Sequence, residues 1–234
     1  MNHSIKVGVV ILCRFESTRL RGKILKNLVG YPALWHTYSK LREIFTEDQI
    51  VVATSNHSSD DTISAYCNEH NIHCYRGSLQ NVAERFLHAA EFMHFDYAAR
   101  TNGDNVFIDL DTYAKIVQLA KNNAYNFISN VKDRTFPKGM SIEMVRVEFY
   151  RSLQPTIQTS SEFIEHVTLA LYKNPDPSFR FVYNEEVKNI QGIDLALDTE
   201  DDFRRIENMI QFLKERYKNY NLTDIKEAYE HVEG

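Results

Sequence analysis

The chain has 234 residues, 43% of them hydrophobic, and a formal net charge of −5 at pH 7. This length suits one domain of ordinary to large size, or one domain with an added arm, and the apolar content allows a substantial core. The negative charge argues against a general nucleic-acid or membrane-surface binder, because anionic phosphates would be repelled on average.

The first 130 residues alternate between strand-like runs and helical patterns. Apolar and β-branched runs predict strands at 6–12, 49–55, 72–75, 96–101 and 125–129. Apolar residues at helical spacing predict the intervening helices, which carry Leu34, Tyr38, Leu41 and Phe45, then Ile63 and Cys67, then residues 79–95, then Ile116, Val117 and Ala120. Asp111 is the predicted cap of the last of these helices. The alternation predicts a mainly parallel α/β sheet flanked by helices.

The pattern changes in the second half of the chain. Residues 136–147 predict a loop followed by a strand with alternating faces, and 160–172 predict a helix. The segment NPDPSFRFVYN predicts a turn and a strand, and IDLALDTEDD predicts a strand that enters a carboxylate-rich turn. The last helix is predicted at about 200–217. We expect one domain over residues 1–234 with a later insertion or arm.

Cysteine content and the lack of targeting signals predict a cytoplasmic protein. Cys13, Cys67 and Cys74 are an odd number of cysteines in a long chain, so a disulfide framework is not expected. The first apolar run breaks at Arg14, which does not fit a signal peptide. No apolar run reaches the roughly 18 residues that cross a bilayer, so no membrane association is expected.

One cysteine-containing segment could suit zinc. CNEHNIHC brings Cys67, His70, His73 and Cys74 within eight positions, a spacing compatible with a zinc ligand set. The favoured interpretation is structural, because Cys67 fits the buried side of a helix. A strand that begins at His73 and Cys74 would also send these two side chains to opposite faces.

The loop after the first strand, LCRFESTRLRGKIL at 12–25, concentrates positive charge in an acidic chain. Arg14, Arg19, Arg21 and Lys23 lie within ten positions of one another. Ligands of open α/β sheets bind at the carboxyl ends of strands, where arginine forks, a lysine and loop amides could hold phosphates. A solvated basic loop is the alternative, and composition alone favours it. The loop has neither the P-loop nor the dinucleotide-binding glycine pattern.

Two carboxylates at predicted strand ends are candidate metal ligands. Asp104 follows Gly103 after the 96–101 strand, and Asp198 ends the LALD segment. Mg²⁺ needs only one or two carboxylates together with substrate phosphates and water. The structural alternatives are that Asp104 forms a turn and that Asp198 caps the final helix, a role for which Thr199 competes.

Five segments resemble one enzyme family in the same order. RFESTRLRGKIL is similar to the A-R-x-x-S-T-R-L-P-G-K-x-L signature of sugar-activating cytidylyltransferases, which include CMP-KDO synthetase and the CMP-sialate synthetases. The cytidylyltransferase-like branch of spore-coat polysaccharide biosynthesis is more similar still. The other segments are CYRGSLQNVAERFLHAAE, RTNGDNVFID, FPKGMSIEMV with EHVTLALYKNP, and LALDTEDDF. Together they span about residues 7 to 205.

The resemblance implies a GT-A-like nucleotidyltransferase fold, with 134–190 as an acceptor-site or dimerisation arm. The implied enzyme is a CTP-dependent cytidylyltransferase that uses Mg²⁺. It transfers CMP from CTP to a sugar acid or a related acidic or phosphorylated acceptor and releases pyrophosphate, in surface polysaccharide or glycoconjugate biosynthesis. Such enzymes are usually homodimers. The aromatic side chains of Phe149, Tyr150, Phe163 and Tyr172 could serve that interface, or they could be ordinary core.

The resemblance also implies which residues form the site. The catalytic residues are Arg14, Lys23 and Asp104, and the metal ligands are Asp104 and Asp198. The substrate-binding residues are Leu12, Ser17, Arg19, Ser78, Asn102, Glu143 and His166, with His166 beside the sugar. The departures are Arg21 and Val106 where the family has proline, and Glu200-Asp201 where it has Pro-Glu. None of these departures removes a catalytic group.

Two other functions remain open from the sequence. A glycosyltransferase of the same fold would use Asp109 and Asp111 as its D-x-D metal motif, so Asp111→Asn should abolish its activity. The same change would mainly cost helix capping in a cytidylyltransferase. A non-catalytic nucleotide-binding partner of the pathway would bind CTP without turnover.

Overall fold

A computed structural model describes residues 4–17 and 19–234 of the chain. Its strands are β1 (Val7–Leu12), β2 (Asn27–Leu28), β3 (Tyr31–Pro32), β4 (Ile50–Ser55), β5 (Cys74–Gly77), β6 (Tyr97–Asn102), β7 (Phe127–Ser129), β8 (Glu143–Arg146) and β9 (Phe179–Phe181). Its helices are α1 (Ala33–Leu41), α2 (Asp61–Glu69), α3 (Val82–Phe92), α4 (Leu110–Lys121), α5 (Val147–Ser152), α6 (Gln154–Ile157), α7 (Ser161–Glu165), α8 (Leu169–Lys173), α9 (Glu200–Leu213) and α10 (Leu222–Glu233). Within the described residues, no helix has the length and apolar character needed to span a bilayer.

Seven strands form one sheet in the order β5-β4-β1-β6-β8-β7-β9, and β2 pairs with β3 in a separate hairpin. Strand β8 runs antiparallel to both of its neighbours, whereas all other pairs in the sheet are parallel. Every residue of β1 is buried, as its continuous apolar sequence predicts for a strand covered on both faces. The predicted mainly parallel α/β sheet flanked by helices is confirmed.

The reversed direction of β8 decides which side chains meet at the sheet edge. Because β8 is antiparallel, its first residue lies where β6 and β7 end. Glu143 is therefore in register with Arg100 of β6 and with Ser129 of β7. The carboxyl ends of β1, β4, β5, β6 and β7 and the start of β8 share one edge, which collects most of the predicted site residues.

Helices cover both faces of the sheet and build three apolar clusters. The first packs α1, α2 and α4 on one face, through residues that include Leu34, Leu41, Ile63, Tyr113 and Ile116. The second packs α3, α5 and α8 on the opposite face, through residues that include Phe86, Ala89, Tyr150, Ala170 and Leu171. The third joins α9 to α10, through residues that include Phe203, Ile206, Met209, Ile225 and Ala228.

Two predictions in the first half of the chain need correction. The helix predicted over 79–95 is shorter, because the Asn81 side chain accepts the Glu84 N–H and fixes the start of α3 at Val82. The predicted cap of α4 was wrong. Asp109 occupies the N-cap position, and Asp111 lies inside the first turn.

Three predictions in the second half were also wrong. The helix predicted over 160–172 is divided into α7 and α8, with the break at His166–Thr168. The LALD segment forms no strand in the described part of the chain. Its neighbour Asp194 makes an isolated β-bridge with Lys138 instead. The helix predicted as the last one, at about 200–217, corresponds to α9, which ends at Leu213 because Lys214 has a φ of 50°, in the left-handed region. A further helix, α10, follows it.

Candidate active site

The basic loop is fixed in position by its own backbone and by Asp60. The N–H of Gly22 donates to the carbonyl of Phe15 at 2.9 Å and closes the loop. Gly22 has φ +71°, a conformation that glycine adopts without steric cost. One carboxylate oxygen of Asp60 accepts the N–H of Phe15 at 2.7 Å. The other oxygen accepts the Ser55 N–H at 2.9 Å and the Ser55 hydroxyl at 2.5 Å, which connects the loop to the end of β4.

Asp60 is fully buried. Its carboxylate is nevertheless ionised, because hydrogen-bond donors offset the energetic cost of burying the charge. Burial by itself would raise its pKa, but hydrogen bonds from Phe15 and Ser55 outweigh burial and lower the pKa below its ordinary value. A buried carboxylate with several donors forms a rigid link between the two strand ends. Nothing in the sequence distinguished Asp60 from its neighbours in SSDD.

Lys23 lies between the two predicted metal ligands. Its ammonium nitrogen is 2.5 Å from Asp104 Oδ2 and 3.0 Å from Asp198 Oδ1. Arg19, which is largely exposed, contacts the second Asp198 oxygen at 2.9 Å. Burial alone would lower the pKa of Lys23, but the two carboxylates outweigh it and raise the pKa. The structure thus brings together four predicted residues that are as many as 179 positions apart in the sequence.

The turn that carries Asp104 packs closely on β1. A Cβ atom on Gly103 would lie 2.3 Å from the Cys13 sulfur, so only glycine fits there. The Gly103 N–H donates to the Leu12 carbonyl at 3.0 Å. From α1, the Thr37 hydroxyl contacts the carbonyls of Gly103 and Asn105 at 2.9 and 3.1 Å. These contacts hold Asp104 next to the basic loop.

Asp198 is free of the capping role that competed for it. Thr199 is the N-cap of α9, and its side chain accepts the Asp202 N–H while Asp202 accepts the Thr199 N–H. This capping box leaves the Asp198 carboxylate to contact Lys23. Lys26, which directly follows the basic loop, also pairs with Glu200 at the start of α9.

A second polar network lies at the same edge, between β6 and β8. Arg100 contacts Glu143 Oε2 at 2.9 Å and donates to Asn102 Oδ1 at 2.9 Å. The other Glu143 oxygen accepts the hydroxyls of Thr168 and Tyr172 at 2.6 and 2.9 Å. Burial and the Glu143 carboxylate raise the pKa of Tyr172, so the phenol remains a donor. Glu143, predicted to bind substrate, is buried and has all of these bonds within the protein.

The remaining predicted residues differ in their surroundings. The hydroxyls of Ser78 and Ser17 accept the N–H groups of Asn81 and Leu20 at 2.9 and 3.4 Å. The Leu12 side chain is buried in the core, so only its backbone faces the edge. Arg14 and His166 are exposed, and neither side chain bonds to any other residue that the structure describes.

Asp104 and Asp198 are the carboxylates that fit a divalent cation. Their oxygens converge on one ammonium group, which occupies the kind of position that a cation would take. Over residues 4–17 and 19–234, no three His, Cys, Asp or Glu side chains are grouped to hold a metal. A pair of carboxylates agrees with Mg²⁺, which takes its other ligands from phosphates and water.

The alternative metal motifs, D-x-D at 109–111 and the cysteine-histidine segment at 67–74, have surroundings of their own. Asp109 is buried at the start of α4, where burial raises its pKa, and Asp111 is exposed. In the candidate zinc segment, the His70 ring packs on Tyr66 at a centroid distance of 4.3 Å. Among the described residues, neither set forms a cluster of three metal ligands.

Comparison with known proteins decides the family. A family model described as cytidylyltransferase matches residues 8–211, which include the basic loop, the Asp104 turn and Asp198. The chain belongs to the cytidylyltransferase family. The predicted family and its nucleotidyltransferase class are confirmed.

Several known proteins align over most of the chain. The spore coat polysaccharide biosynthesis protein SpsF of Bacillus subtilis is 27% identical over 215 residues, which cover 88% of this chain and 87% of SpsF. A solved cytidylyltransferase from Leptospira borgpetersenii is 26% identical with a TM-score of 0.87, covering 97% of this chain and 94% of that one. A CMP-2-keto-3-deoxy-manno-octonic acid synthetase solved with CTP is 15% identical, with a TM-score of 0.66 and coverages of 88% and 99%. At that identity the last structure shows the shared fold.

The cytidylyltransferase signature identified the charged groups at this edge but missed the residues that position them. Asp60, Thr37 and Arg100 all act through bonds to distant segments. The sequence analysis singled out neither Thr37 nor Arg100. A charged residue inside the otherwise apolar YAART strand was the one available signal for Arg100.

Proposed function

We propose that this cytidylyltransferase transfers CMP from CTP to a sugar acid, or to a related acidic or phosphorylated acceptor, with release of pyrophosphate. The observation that carries the proposal is the convergence of Lys23 on Asp104 and Asp198, with the exposed Arg14 on the same loop as Lys23. This arrangement combines two carboxylates for a cation with side chains that bind phosphate. Both are required to align and neutralise a triphosphate.

The basic loop would bind the triphosphate of CTP. Arg14 and Arg19 offer guanidinium forks, and Ser17 and the loop amides offer neutral donors. Lys23 is a flexible point charge whose ammonium can pass from the carboxylates to the phosphates when nucleotide binds. Asp104 and Asp198 would hold Mg²⁺, which would supply charge neutralisation at the leaving pyrophosphate. In-line attack then needs no covalent intermediate with the protein.

The acceptor would bind beyond β6, next to the network of Arg100 and Glu143. Asn102 lies between this network and the Asp104 turn, so it can contact both substrates. Glu143 acts by holding Arg100 in place rather than by binding substrate, because its oxygens are already bonded within the protein. The exposed His166 offers a donor or acceptor to the acceptor molecule from the break between α7 and α8.

We also propose a cytoplasmic homodimer that acts in surface polysaccharide or glycoconjugate biosynthesis. The three cysteines are free thiols, which suits a reducing compartment. In the 134–190 arm, Tyr150 is buried and Tyr172 belongs to the Glu143 network, so both serve the core. Phe149 and Phe163 are half-buried and remain available for a partner. Light scattering at micromolar concentration tests the dimer, and a monomer mass would contradict it.

The reaction is tested by pyrophosphate release with Mg²⁺, each nucleoside triphosphate in turn, and a panel of sugar acids and sugar phosphates. We expect release with CTP and one acceptor class, loss in Asp104→Asn, and near wild-type release in Asp111→Asn. Equal loss in both variants would favour the glycosyltransferase motif. Binding of CTP without release on any acceptor would favour a non-catalytic partner.

A further inference from the structure

Arg85 is a buried arginine whose hydrogen-bonding capacity is only partly used. It is 3% exposed, and its aliphatic stem packs under the turn after β5, where a Cβ on Gly77 would lie 3.1 Å from Arg85 Cγ. Its Nη1 donates to the Ser78 carbonyl at 2.5 Å, with the Leu79 carbonyl at 3.4 Å. Its Nε is buried without a partner, and Nη2 makes no hydrogen bond to any described residue.

The positive charge of Arg85 forms no ion pair with any described residue. The carboxylate that acts on it electrostatically is Asp60. Both oxygens of Asp60 are already bonded to Phe15 and Ser55. A charge removed from water without a paired ion is a strong penalty, which native proteins rarely accept without a functional return.

The position of Arg85 adds two further unfavourable effects. It is the fourth residue of α3, in the first turn, where the helix dipole disfavours a cation. Arg14, on the basic loop, is close enough to repel it. Burial lowers the pKa of Arg85, Asp60 partly offsets this effect, and Arg14 adds to the lowering. Binding of one anion would therefore offset all three unfavourable effects on the Arg85 charge, which come from burial, from the helix end and from the neighbouring arginine.

We infer that Arg85 is a nucleotide-binding residue, and that together with Arg14 it binds phosphate oxygens of the nucleoside triphosphate. The inference rests on the proposed nucleotide site and extends it to the ends of β1 and β5. Arg14 would contact the phosphates from the loop, and Arg85 from beneath the turn at 77–79. A guanidinium with two unused N–H-bearing nitrogens can supply paired hydrogen bonds to a phosphate.

A purely structural role would give Arg85 different properties. In that role Arg85 would serve to hold the Ser78 carbonyl through its one strong hydrogen bond, and replacing Arg85 would destabilise the free protein. A ligand-binding role predicts the opposite for the free protein, because removing an uncompensated charge relieves repulsion. Stability without ligand and affinity for anions should thus change in opposite directions. These two measurements separate the roles.

The chain offers a matched control in Arg146, at the opposite edge of the sheet. Arg146 also lacks an ion pair among the described residues, donates to one backbone carbonyl, that of Asn123 at 2.7 Å, and has a buried Nε without a partner. Its guanidinium packs over the Tyr97 ring. Arg146→Met therefore removes a similar arginine far from the nucleotide site.

The test measures thermal unfolding and calorimetric binding for wild type, Arg85→Met, Arg85→Lys and Arg146→Met. The probes are CTP and inorganic tripolyphosphate at fixed Mg²⁺ concentration. We expect Arg85→Met to unfold at the wild-type temperature or higher and to bind both probes about tenfold more weakly or worse. Arg85→Lys, which keeps the fold and the charge, should bind at an intermediate strength. Arg146→Met should lower the unfolding temperature and leave binding unchanged.

The outcomes separate this inference from the proposed function. If tripolyphosphate binds to wild type and is lost in the Arg85 variants while CTP never binds, the anion site stands and the CTP assignment fails. If Arg85→Met loses stability as Arg146→Met does, and Arg85→Lys binds both probes within twofold of wild type, Arg85 is structural and the inference is wrong. If wild type binds neither probe, both are wrong.

Discussion

The ammonium nitrogen of Lys23 lies 2.5 Å from the Asp104 carboxylate. With Asp198 at 3.0 Å on its other side, this amine compensates the two carboxylates as a metal ion would. The side chain is 11% exposed, so water screens the contacts weakly. We therefore expect Lys23 to compete with a free cation for the aspartates until phosphates offer the ammonium a better partner.

Replacing Lys23 should separate metal binding from turnover. Lys23→Gln removes the competing charge, so the ligand-free protein should bind Mn²⁺ about tenfold more tightly, as measured by electron paramagnetic resonance. The same variant should lose CTP-dependent pyrophosphate release. Lys26→Gln, which removes a lysine that pairs with Glu200 instead, is the control and should leave Mn²⁺ affinity unchanged. Weaker Mn²⁺ binding in Lys23→Gln would contradict this competition and would show that the ammonium holds the two carboxylates in place for the metal.

Two adjacent residues should divide stability from activity. Thr199→Ala removes the N-cap of α9, so it should cost about 1 kcal/mol of unfolding free energy and spare turnover. Asp198→Asn should leave stability nearly unchanged but lower kcat/KM by about 100-fold, because the proposed metal site would lose a charged ligand at the transition state. Chemical denaturation and steady-state kinetics on both variants check this. A large stability loss with normal kinetics in Asp198→Asn would assign Asp198 a structural role only.

Asp60 should make stability depend on acid pH. Its pKa is lowered in the folded state relative to an unfolded carboxyl group near 3.9. A lowered pKa contributes stability that is present above about pH 4 and is lost as pH falls through the folded value. Asp60→Asn should lose about 2 kcal/mol at pH 7, with the difference from wild type shrinking toward pH 2.

Urea unfolding across this pH range measures the effect of Asp60, and the exposed neighbour Asp61 provides the control. Asp61 pairs with Arg76 at the surface, so Asp61→Asn should change stability by less than about 0.5 kcal/mol. Asp60→Asn should also raise the KM for CTP, since the Phe15 N–H loses its carboxylate partner. An equal effect of the two variants at pH 7 would contradict the linking role of Asp60.

Gly103 should tolerate a side chain only when Cys13 is shortened. The methyl group of Gly103→Ala would overlap the Cys13 sulfur, which should cost about 1 to 3 kcal/mol and move the Asp104 turn. The double variant Gly103→Ala/Cys13→Ala removes the sulfur and should recover much of the stability and the activity. Thermal unfolding and turnover of the single and double variants test this. Additive losses in the double variant would show that the close approach is not the cause.

The sequence predicted the elements whose pattern is local. Strand β1 could be predicted because all six of its residues are apolar or glycine, and α3 because its buried residues recur at helical spacing. Helix α10 was missed because its interior apolar positions are few, mainly Ile225 and Ala228. The reversed direction of β8 could not be predicted, since the segment EMVR does not encode which strands flank it.

In the candidate site, too, residues marked by a local motif could be predicted and residues defined by distant partners could not. Lys23, Asp104 and Asp198 were predicted because a family signature marks them. In the structure the Lys23 ammonium lies within 3.0 Å of a carboxylate oxygen of each aspartate. Asp60 and Arg85 were missed because their roles depend on partners from other segments. The Phe15 N–H that Asp60 accepts lies 45 positions earlier in the chain. That Arg85 forms no ion pair with any described residue becomes visible only in the folded structure.

Calorimetric titration of the wild-type protein with each nucleoside triphosphate in Mg²⁺ tests most directly whether this sheet edge binds CTP. We predict that CTP binds and that ATP, GTP and UTP bind at least about tenfold more weakly. Arg14→Met, a change at an exposed position, should weaken CTP binding without altering the fold. Absence of CTP binding, or equal binding of ATP, would contradict the assignment of this sheet edge as a CTP site.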